Sequence, residues 1–272
     1  MKKFINCFGT PILNAGDRFN DLLVSHYTNC VARPVETEKA DVIMVGSTLL
    51  WRPLYSEKKY KHTNSKPLPV WGTGCFGDLR PNSKFTRELD VRALRGKLTY
   101  QLLYNKEYNG DIALGDTGLL ASRIIQKEPT VKGRIGFIPH YNTGYVPFET
   151  KTNKYHVVTI YPQLPTDIFC KEISKCEYII SESLHGIIFA DSYNIPNARV
   201  VFGKLLGGDF KFQDYDSVFG SSCRYTLSAG KHFDNITKLI EDTYTITPEM
   251  ITTIQDRLEE VNPLSDIEKT IL

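Results

Sequence analysis

The sequence lacks the features that would place a protein across a membrane, outside the cell or on a nucleic acid. No window approaches the ~18 uninterrupted apolar residues that span a bilayer, and the N-terminus has no apolar signal segment. Lys and Arg total 33 against 31 Asp and Glu, so no global field favours nucleic acid or an anionic membrane. We therefore expect a cytoplasmic protein that makes at most peripheral contact with the inner face of the membrane.

Paired cysteines are missing as well. The six cysteines are scattered, with no C-x-x-C pair and no clustered histidine, which argues against a structural zinc site. We expect free thiols, no metal and no cofactor. No internal repeat or low-complexity tract occurs, and 41% apolar with 24% charged residues is ordinary globular composition. A chain of 272 residues is long enough for one large domain or two of ordinary size.

Short apolar runs bounded by turn residues alternate with helical patterns along the chain. The predicted strands are residues 3–8, 42–45, 69–71, 112–114, 134–138, 156–160, 178–180 and 198–201. The predicted helices are residues 19–27, 95–104, 166–176, 184–193 and 248–260. This alternation predicts βαβ units and parallel sheets. The polar segment 141–154 suggests a boundary, and we predict two α/β domains, residues 1–140 and residues 141–272 with the terminal helix.

A histidine stands where the predicted strand 178–180 gives way to a helical pattern. His185 would lie at or near the N-terminus of that helix, beside Gly186. The helix dipole and the free N–H groups there favour an anion and lower the affinity of an imidazole for its proton. Turns of this kind bind ligands in α/β proteins, but most contain no catalytic group. The alternative is that His185 only caps or packs against the turn.

Several short motifs occur in a fixed order along the chain. They are Asn-Ala-Gly-Asp at 14–17, Gly-Thr-Gly at 72–74, Leu-Arg-Gly at 94–96, Leu-Gly-Asp-Thr-Gly-Leu-Leu at 114–120, Ile-Pro-His at 138–140, and Ser-Glu-Ser-Leu-His-Gly opening 181–196. Together they resemble the polysaccharide pyruvyl transferase family, over residues 14 to about 215. The ordered set is far more specific than any single motif.

The resemblance implies a fold and a reaction. The fold would be two Rossmann-like domains facing each other across a cleft, in a GT-B-like glycosyltransferase architecture. Phosphoenolpyruvate would occupy the cleft as the donor. Its pyruvyl group would pass to a hexose of a bacterial surface polysaccharide, or of its lipid-linked precursor, and form a cyclic ketal. The implied partners are thus phosphoenolpyruvate and a saccharide acceptor, with no nucleic acid.

The resemblance also implies roles for individual residues. His185 would protonate the methylene carbon of the enol, a role that suits a histidine whose pKa lies near neutrality. Phosphoenolpyruvate carries about three negative charges and needs two or three cations. Arg95 would be one, and Lys211 or Lys204 would follow the histidine helix as another. Ser183 departs from the pattern, because several family members have arginine there, so the charge of the donor must be balanced elsewhere.

A carboxylate is also needed to accept the proton of the acceptor hydroxyl. Asp17, Glu182 and Asp214 are the candidates, and the sequence gives no geometry for choosing among them; we place Asp17 with His185 as catalytic. Asp116 is expected to cap the helix that follows it. The predicted substrate-binding residues are Asn14, Gly16, Gly74, Arg95, His140, Leu184, Lys204, Lys211 and Asp214.

Two other functions are compatible with such a fold. A GT-B-type glycosyltransferase would use the same helix N-termini and basic residues for the diphosphate of a nucleotide sugar. A non-catalytic sugar-binding protein would keep the cleft after losing the arginine expected at Ser183. The glycine spacing at 72–77 resembles a dinucleotide loop, but no acidic partner ends a second strand some 20 residues later. A tight turn near an anion or a sugar is the better interpretation.

Overall fold

The computed structural model describes ten strands and nine α-helices. It covers residues 3–8, 14–36, 39–49, 66–77, 87–143, 154–202, 208–220, 223–228 and 236–271. The strands are β1 Phe4–Phe8, β2 Val31–Val35, β3 Leu68–Thr73, β4 Leu89–Leu94, β5 Ala113–Leu114, β6 Arg134–Ile138, β7 His156–Thr159, β8 Tyr178–Ser181, β9 Asn197–Val201 and β10 Thr226–Ser228. The helices are α1 Phe19–Tyr27, α2 Lys97–Tyr104, α3 Ala121–Ile124, α4 Thr166–Ser174, α5 Leu184–Ser192, α6 Phe210–Asp216, α7 Ile236–Thr243, α8 Pro248–Glu260 and α9 Leu264–Ile271.

The strands of the first half are all parallel. β1 pairs with β2, and β3, β4 and β5 form a second group. Single parallel bridges join Cys7 to Val42 and Ile43 to Val70, so residues 42–43 connect the two groups. The order across this first sheet is therefore β2, β1, residues 42–43, β3, β4, β5.

The second sheet is also parallel and repeats this order. Its strands lie as β10, β9, β8, β6, β7. Counted from the other edge, the order is β7, β6, β8, β9, β10. The second of these strands along the chain, β7, thus lies at the edge beside the first, β6, and the remaining three follow in chain order. In doubly wound sheets of this order, ligands bind beyond the carboxyl ends of the strands where the order reverses. That point lies between β6 and β8 in the second sheet, and between β1 and residues 42–43 in the first.

The α/β class with parallel sheets is confirmed. Helices α1 and α8 have the predicted bounds, and the predicted strands pair in parallel or, at residues 42–43, as single bridges. The pattern missed β2, a largely exposed edge strand that contains Pro34. It also missed β4, β10, α3, α6, α7 and α9. The polar segment that suggested the domain boundary lies largely outside the described residues, as does Lys204.

The two sheets share helices and core. β6 precedes the predicted boundary at residue 140 but pairs within the second sheet. Helix α8 lies against the first sheet, where its Leu258 carbonyl accepts a hydrogen bond from the Trp71 indole N–H at 2.9 Å. One buried apolar cluster contains side chains of both sheets, including Trp71 and Ile179. The division into domains 1–140 and 141–272 stays a prediction.

Helix α5 runs through the middle of this core. All nine of its residues are buried, as expected for a helix that is apolar on almost every side. Gly186 lets the helix approach the second sheet, because a Cβ there would lie 2.4 Å from the Ser181 hydroxyl. The helix ends before Asn194, which adopts a left-handed conformation with φ of 56°. No helix among the described residues has the length and apolar character needed to cross a membrane.

Candidate active site

His185 lies at the N-terminus of α5, beyond the carboxyl end of β8. Ser183 precedes the helix as its N-cap residue, without a side-chain cap hydrogen bond. The imidazole is 6% exposed and lies 5.9 Å from the Phe189 ring, nearly parallel to it. Its Nε2 atom is buried and has no hydrogen-bond partner among the described residues. A buried polar atom without a partner is costly, so it marks a place where a ligand could bind.

Gly16 belongs to the first half of the chain and contacts this imidazole. A Cβ at position 16 would lie 1.9 Å from Nδ1 of His185, so no other residue fits without displacing the ring. The Asn14 side-chain oxygen accepts a hydrogen bond from the Gly16 backbone N–H at 3.1 Å, and this fixes the turn. The turn after β1 thus meets the turn after β8, and each follows a strand beside the reversal point of its own sheet.

The pKa of His185 is lowered to about 3, chiefly by burial and also by the positive charges of Arg95 and Lys211. The acid role that the family resemblance implies suits a histidine with a pKa near neutrality, and the pKa here is lower. The physical reason is that the ring is removed from water and is surrounded by cations. Without a bound anion, His185 is therefore neutral at physiological pH.

Arg95 lies at the carboxyl end of β4 and is fully buried. Its Nε donates to Asp214 at 2.9 Å, and its two terminal nitrogens donate to the Ser47 hydroxyl at 2.6 Å and the Cys75 carbonyl at 2.7 Å. Gly74 makes room for the guanidinium, since a Cβ there would lie 2.3 Å from its central carbon. The charge of Arg95 is therefore balanced within the protein.

Lys211 lies on α6, a helix of the second half of the chain that contacts residues of the first half. Asp214 of the same helix binds Arg95 and also accepts hydrogen bonds from the backbone N–H and hydroxyl of Thr99. Lys211 is 8% exposed, and among the described residues it has no ion pair. Burial lowers its pKa to about 8, with Arg95 and Arg199 acting in the same direction and Asp17 and Glu182 opposing them. A buried lysine of this kind favours the approach of an anion.

The three candidate carboxylates differ in what surrounds them. Asp214 is fully buried and bonded as described, and Glu182 is 1% exposed. Glu182 accepts hydrogen bonds from the backbone N–H of His140 and the hydroxyl of Thr143. Asp17 is half-buried and receives a long hydrogen bond from the Asn14 amide. Asp17 is thus the most accessible of the three, and it lies on the turn that contacts His185.

The remaining predicted residues surround the same place. His140 follows β6, and burial lowers its pKa, assisted by the charge of Lys211. Leu184 is buried in the first turn of α5, beside His185. The structure thus brings together the predicted residues Asn14, Gly16, Asp17, Gly74, Arg95, His140, Leu184, His185, Lys211 and Asp214. Lys204 is outside the described residues, and the individual roles stay predictions.

For two residues near the site, the prediction from the sequence was incomplete: it assigned no role to Arg199 and only a capping role to Asp116. Arg199 lies inside the predicted strand 198–201, where a charged residue suggested no role, yet it is 6% exposed and acts on Lys211. Asp116 caps the following turn as expected, accepting from the Gly118 N–H at 2.8 Å. Its second oxygen is buried without a partner, and burial raises its pKa to about 7. Burial therefore leaves this carboxyl group partly protonated at neutral pH, although the charge of Arg95 opposes the shift in pKa.

Fold and site together define a doubly wound α/β protein with a buried histidine and cations at the junction of two parallel sheets. A family model described as polysaccharide pyruvyl transferase matches residues 3–201, almost three quarters of the chain. The chain belongs to this family of transferases. An uncharacterized protein of Acanthamoeba polyphaga mimivirus is 32% identical to it over 219 residues, covering 76% of this chain and 71% of that protein.

Two solved structures show a distant likeness. A functionally uncharacterized protein from Klebsiella pneumoniae is 11% identical, with a TM-score of 0.40 over 80% of this chain and 87% of that one. The wall teichoic acid polymerase TagF is 8% identical, with a TM-score of 0.42 over 99% of this chain and 87% of that one.

Proposed function

We propose that this protein transfers the pyruvyl group of phosphoenolpyruvate to a hexose of a surface polysaccharide, or of its lipid-linked precursor, and forms a cyclic ketal. The observation that carries the proposal is the unpartnered Nε2 of His185, buried at a helix N-terminus among cations. An acid there must deliver a proton to a ligand that is itself strongly anionic. Phosphoenolpyruvate has this character, and membership of the family supports it.

The low pKa of His185 becomes part of the mechanism. A neutral imidazole does not repel Lys211 or Arg95, so the three side chains can lie near one another before the donor binds. A donor with about three negative charges would offset those cations and favour the protonated imidazole. His185 would therefore take up a proton as the donor binds and then hold it at Nε2, facing the enol.

The proposed chemical step uses His185 as the acid and Asp17 as the base. His185 gives its proton to the methylene carbon, and the central carbon becomes electrophilic. One sugar hydroxyl attacks this carbon while Asp17 accepts the hydroxyl proton; phosphate leaves, and the second hydroxyl closes the ketal. Of the two hydroxyl protons, one restores His185 and the other leaves with phosphate. Positioned proton transfer of this kind is typically worth roughly 10²–10⁴ in rate.

The proposal includes the arrangement of the fold around the site. Two Rossmann-like units, one for each parallel sheet, would face each other across a cleft in the GT-B manner. The reversal points of both sheets would then border the donor, which agrees with the contact between Gly16 and His185. The sugar acceptor would enter beside Asp17, the most accessible of the three carboxylates.

Ligand-dependent stabilisation tests this function against a nucleotide-sugar glycosyltransferase. Phosphoenolpyruvate, UDP-sugars and GDP-sugars are compared in a thermal shift assay, where a ligand at 100 times its Kd adds about 2.7 kcal/mol. We expect a shift with phosphoenolpyruvate alone. A shift with the nucleotide sugars and none with phosphoenolpyruvate would contradict the proposal. Mass spectrometry after incubation with synthetic or lipid-linked glycosides then identifies the acceptor by the added pyruvyl group.

A further inference from the structure

Arg199 stands where the second sheet meets the site. β9 runs parallel to β8, and the register places Arg199 beside Ser181, two residues before the N-cap of α5. Ala198 and Val200 pack into a separate apolar cluster on one face of the sheet. Because side chains alternate between faces, Arg199 projects from the opposite face. Asn197 shares that face and donates to Asp191 of α5, so Arg199 lies on the face that α5 covers, nearer the carboxyl edge.

The guanidinium is buried without a complete set of partners. Its Nε is buried and has no hydrogen-bond partner among the described residues. One terminal nitrogen donates to Asp209, whose side chain is 66% exposed, while the side chain of Arg199 is only 7% exposed. An ion pair with a solvent-exposed carboxylate contributes little, so Asp209 balances the buried charge weakly.

Arg199 and Lys211 share one aromatic ring. The central carbon of the Arg199 guanidinium lies 3.9 Å from the Phe212 ring centroid, and the Lys211 ammonium lies 5.4 Å from it. The face of an aromatic ring attracts cations, so Phe212 can hold two like charges near each other. Neither cation has a buried carboxylate within ion-pair distance among the described residues. Arg95 differs, because Asp214 neutralises it.

We propose that Arg199 and Lys211, with the N-terminus of α5, bind the phosphoryl group of the donor, and that Arg199 supplies the charge absent at Ser183. This inference rests on the proposed function, since it assigns one group of that donor. A phosphoryl dianion matches two cations whose charges are otherwise poorly balanced. The unpartnered Nε and the planar guanidinium suit a phosphate oxygen, which would replace or share the contact with Asp209.

Isothermal titration with phosphoenolpyruvate and with inorganic phosphate tests this assignment. Arg199→Gln should weaken the binding of both ligands about 10- to 100-fold, the range expected for a charge-assisted hydrogen bond. Arg199→Lys should restore part of the affinity, because it keeps the charge and loses the fork. The loss should shrink as salt rises, since the interaction is electrostatic.

Two further variants separate binding from structure. Arg134→Gln is the matched control, because it removes an arginine paired with Glu172 at the other end of the same sheet, and its affinity for both ligands should stay unchanged. Asp209→Asn removes the exposed partner of Arg199 and should tighten phosphate binding. If Arg199 were merely structural, the Arg199→Gln variant would be less stable, and the Asp209→Asn variant would bind phosphate no more tightly than the wild type.

The outcomes distinguish this inference from the proposed function. Equal phosphoenolpyruvate affinity in the wild type and Arg199→Gln overturns the role of Arg199 and leaves the donor in place. Binding of inorganic phosphate that depends on Arg199, with no binding of phosphoenolpyruvate, supports the anion site and contradicts the donor. Tighter binding in Arg199→Gln than in Arg199→Lys also overturns the inference.

Discussion

The buried polar groups at the two ends of helix α5 differ in how completely they are paired with hydrogen-bond partners and counterions. At its N-terminus, His185 has an unpartnered Nε2, and nearby Lys211 and Arg199 lack buried counterions. In its last turn, Asp191 is equally buried but receives hydrogen bonds from five donors. These are Arg224 through two nitrogens at 2.9 and 3.3 Å, Tyr215 at 2.7 Å, Tyr244 at 2.8 Å and Asn197 at 2.6 Å.

We infer from this difference that the Asp191 end of α5 contributes to stability and the His185 end to ligand binding. The network around Asp191 satisfies its own charges, so it holds the second sheet, α6 and the segment after α7 together without a ligand. At the N-terminal end the positive charges remain poorly balanced, and a bound anion would balance them. Incomplete satisfaction of buried polar groups is costly for folding, and it concentrates where ligands bind.

Removing the imidazole should have the largest effect on activity. We expect His185→Ala to lower turnover by roughly 10²–10⁴, because the proton donor to the enol carbon is lost. Donor binding should change little, since Lys211 and the helix N-terminus remain. Steady-state kinetics and phosphoenolpyruvate titration measure the two effects separately. His26→Ala, an exposed histidine on α1, is the control, and near-normal turnover in His185→Ala would refute the acid role.

Removing the carboxylate at the other end of α5 should mainly affect stability. Asp191→Ala leaves the buried Arg224 with Asp216 as its remaining carboxylate partner among the described residues, and we expect a loss of about 3–5 kcal/mol in the free energy of unfolding. Urea denaturation measures this loss. The paired comparison is decisive: if His185→Ala destabilises the fold as much as Asp191→Ala does, the two ends of α5 do not differ as proposed.

The depressed pKa of Lys211 predicts a pH dependence of donor binding. Below about 8 the amine is charged and attracts the anion; as pH rises through that value the free protein loses the charge, so affinity should fall. Lys211→Ala should bind phosphoenolpyruvate about 10- to 100-fold more weakly near neutrality and lose this pH step. Lys211→Arg should keep the affinity and also lose the step. Unchanged affinity in Lys211→Ala would redirect attention to Lys204.

The two ends of α5 also differ in how far the sequence predicts them. The turn at His185 is readable because strand, polar turn and helix are contiguous and the other motifs follow in order. The hydrogen-bond network of Asp191 cannot be predicted from the sequence, because Arg224 and Tyr244 lie 33 and 53 residues away along the chain and no periodic pattern marks them. Arg199 was missed for the same reason: its significance comes from Phe212 and Lys211 of α6, not from its strand. The low pKa of His185 likewise depends on burial, which local sequence does not specify.

A single hydroxyl in the Asp191 network should matter least. Tyr244→Phe removes one of the hydrogen bonds to Oδ1 of Asp191 and leaves Arg224 and Asn197 in place. We expect a loss of about 1 kcal/mol in the free energy of unfolding, because one hydrogen bond is lost while the other donors to this carboxylate oxygen remain. Turnover and phosphoenolpyruvate affinity should stay unchanged. Reduced donor affinity in a stably folded Tyr244→Phe variant would show that the two ends of α5 are coupled, and their separation into a structural and a ligand-binding end would then fail.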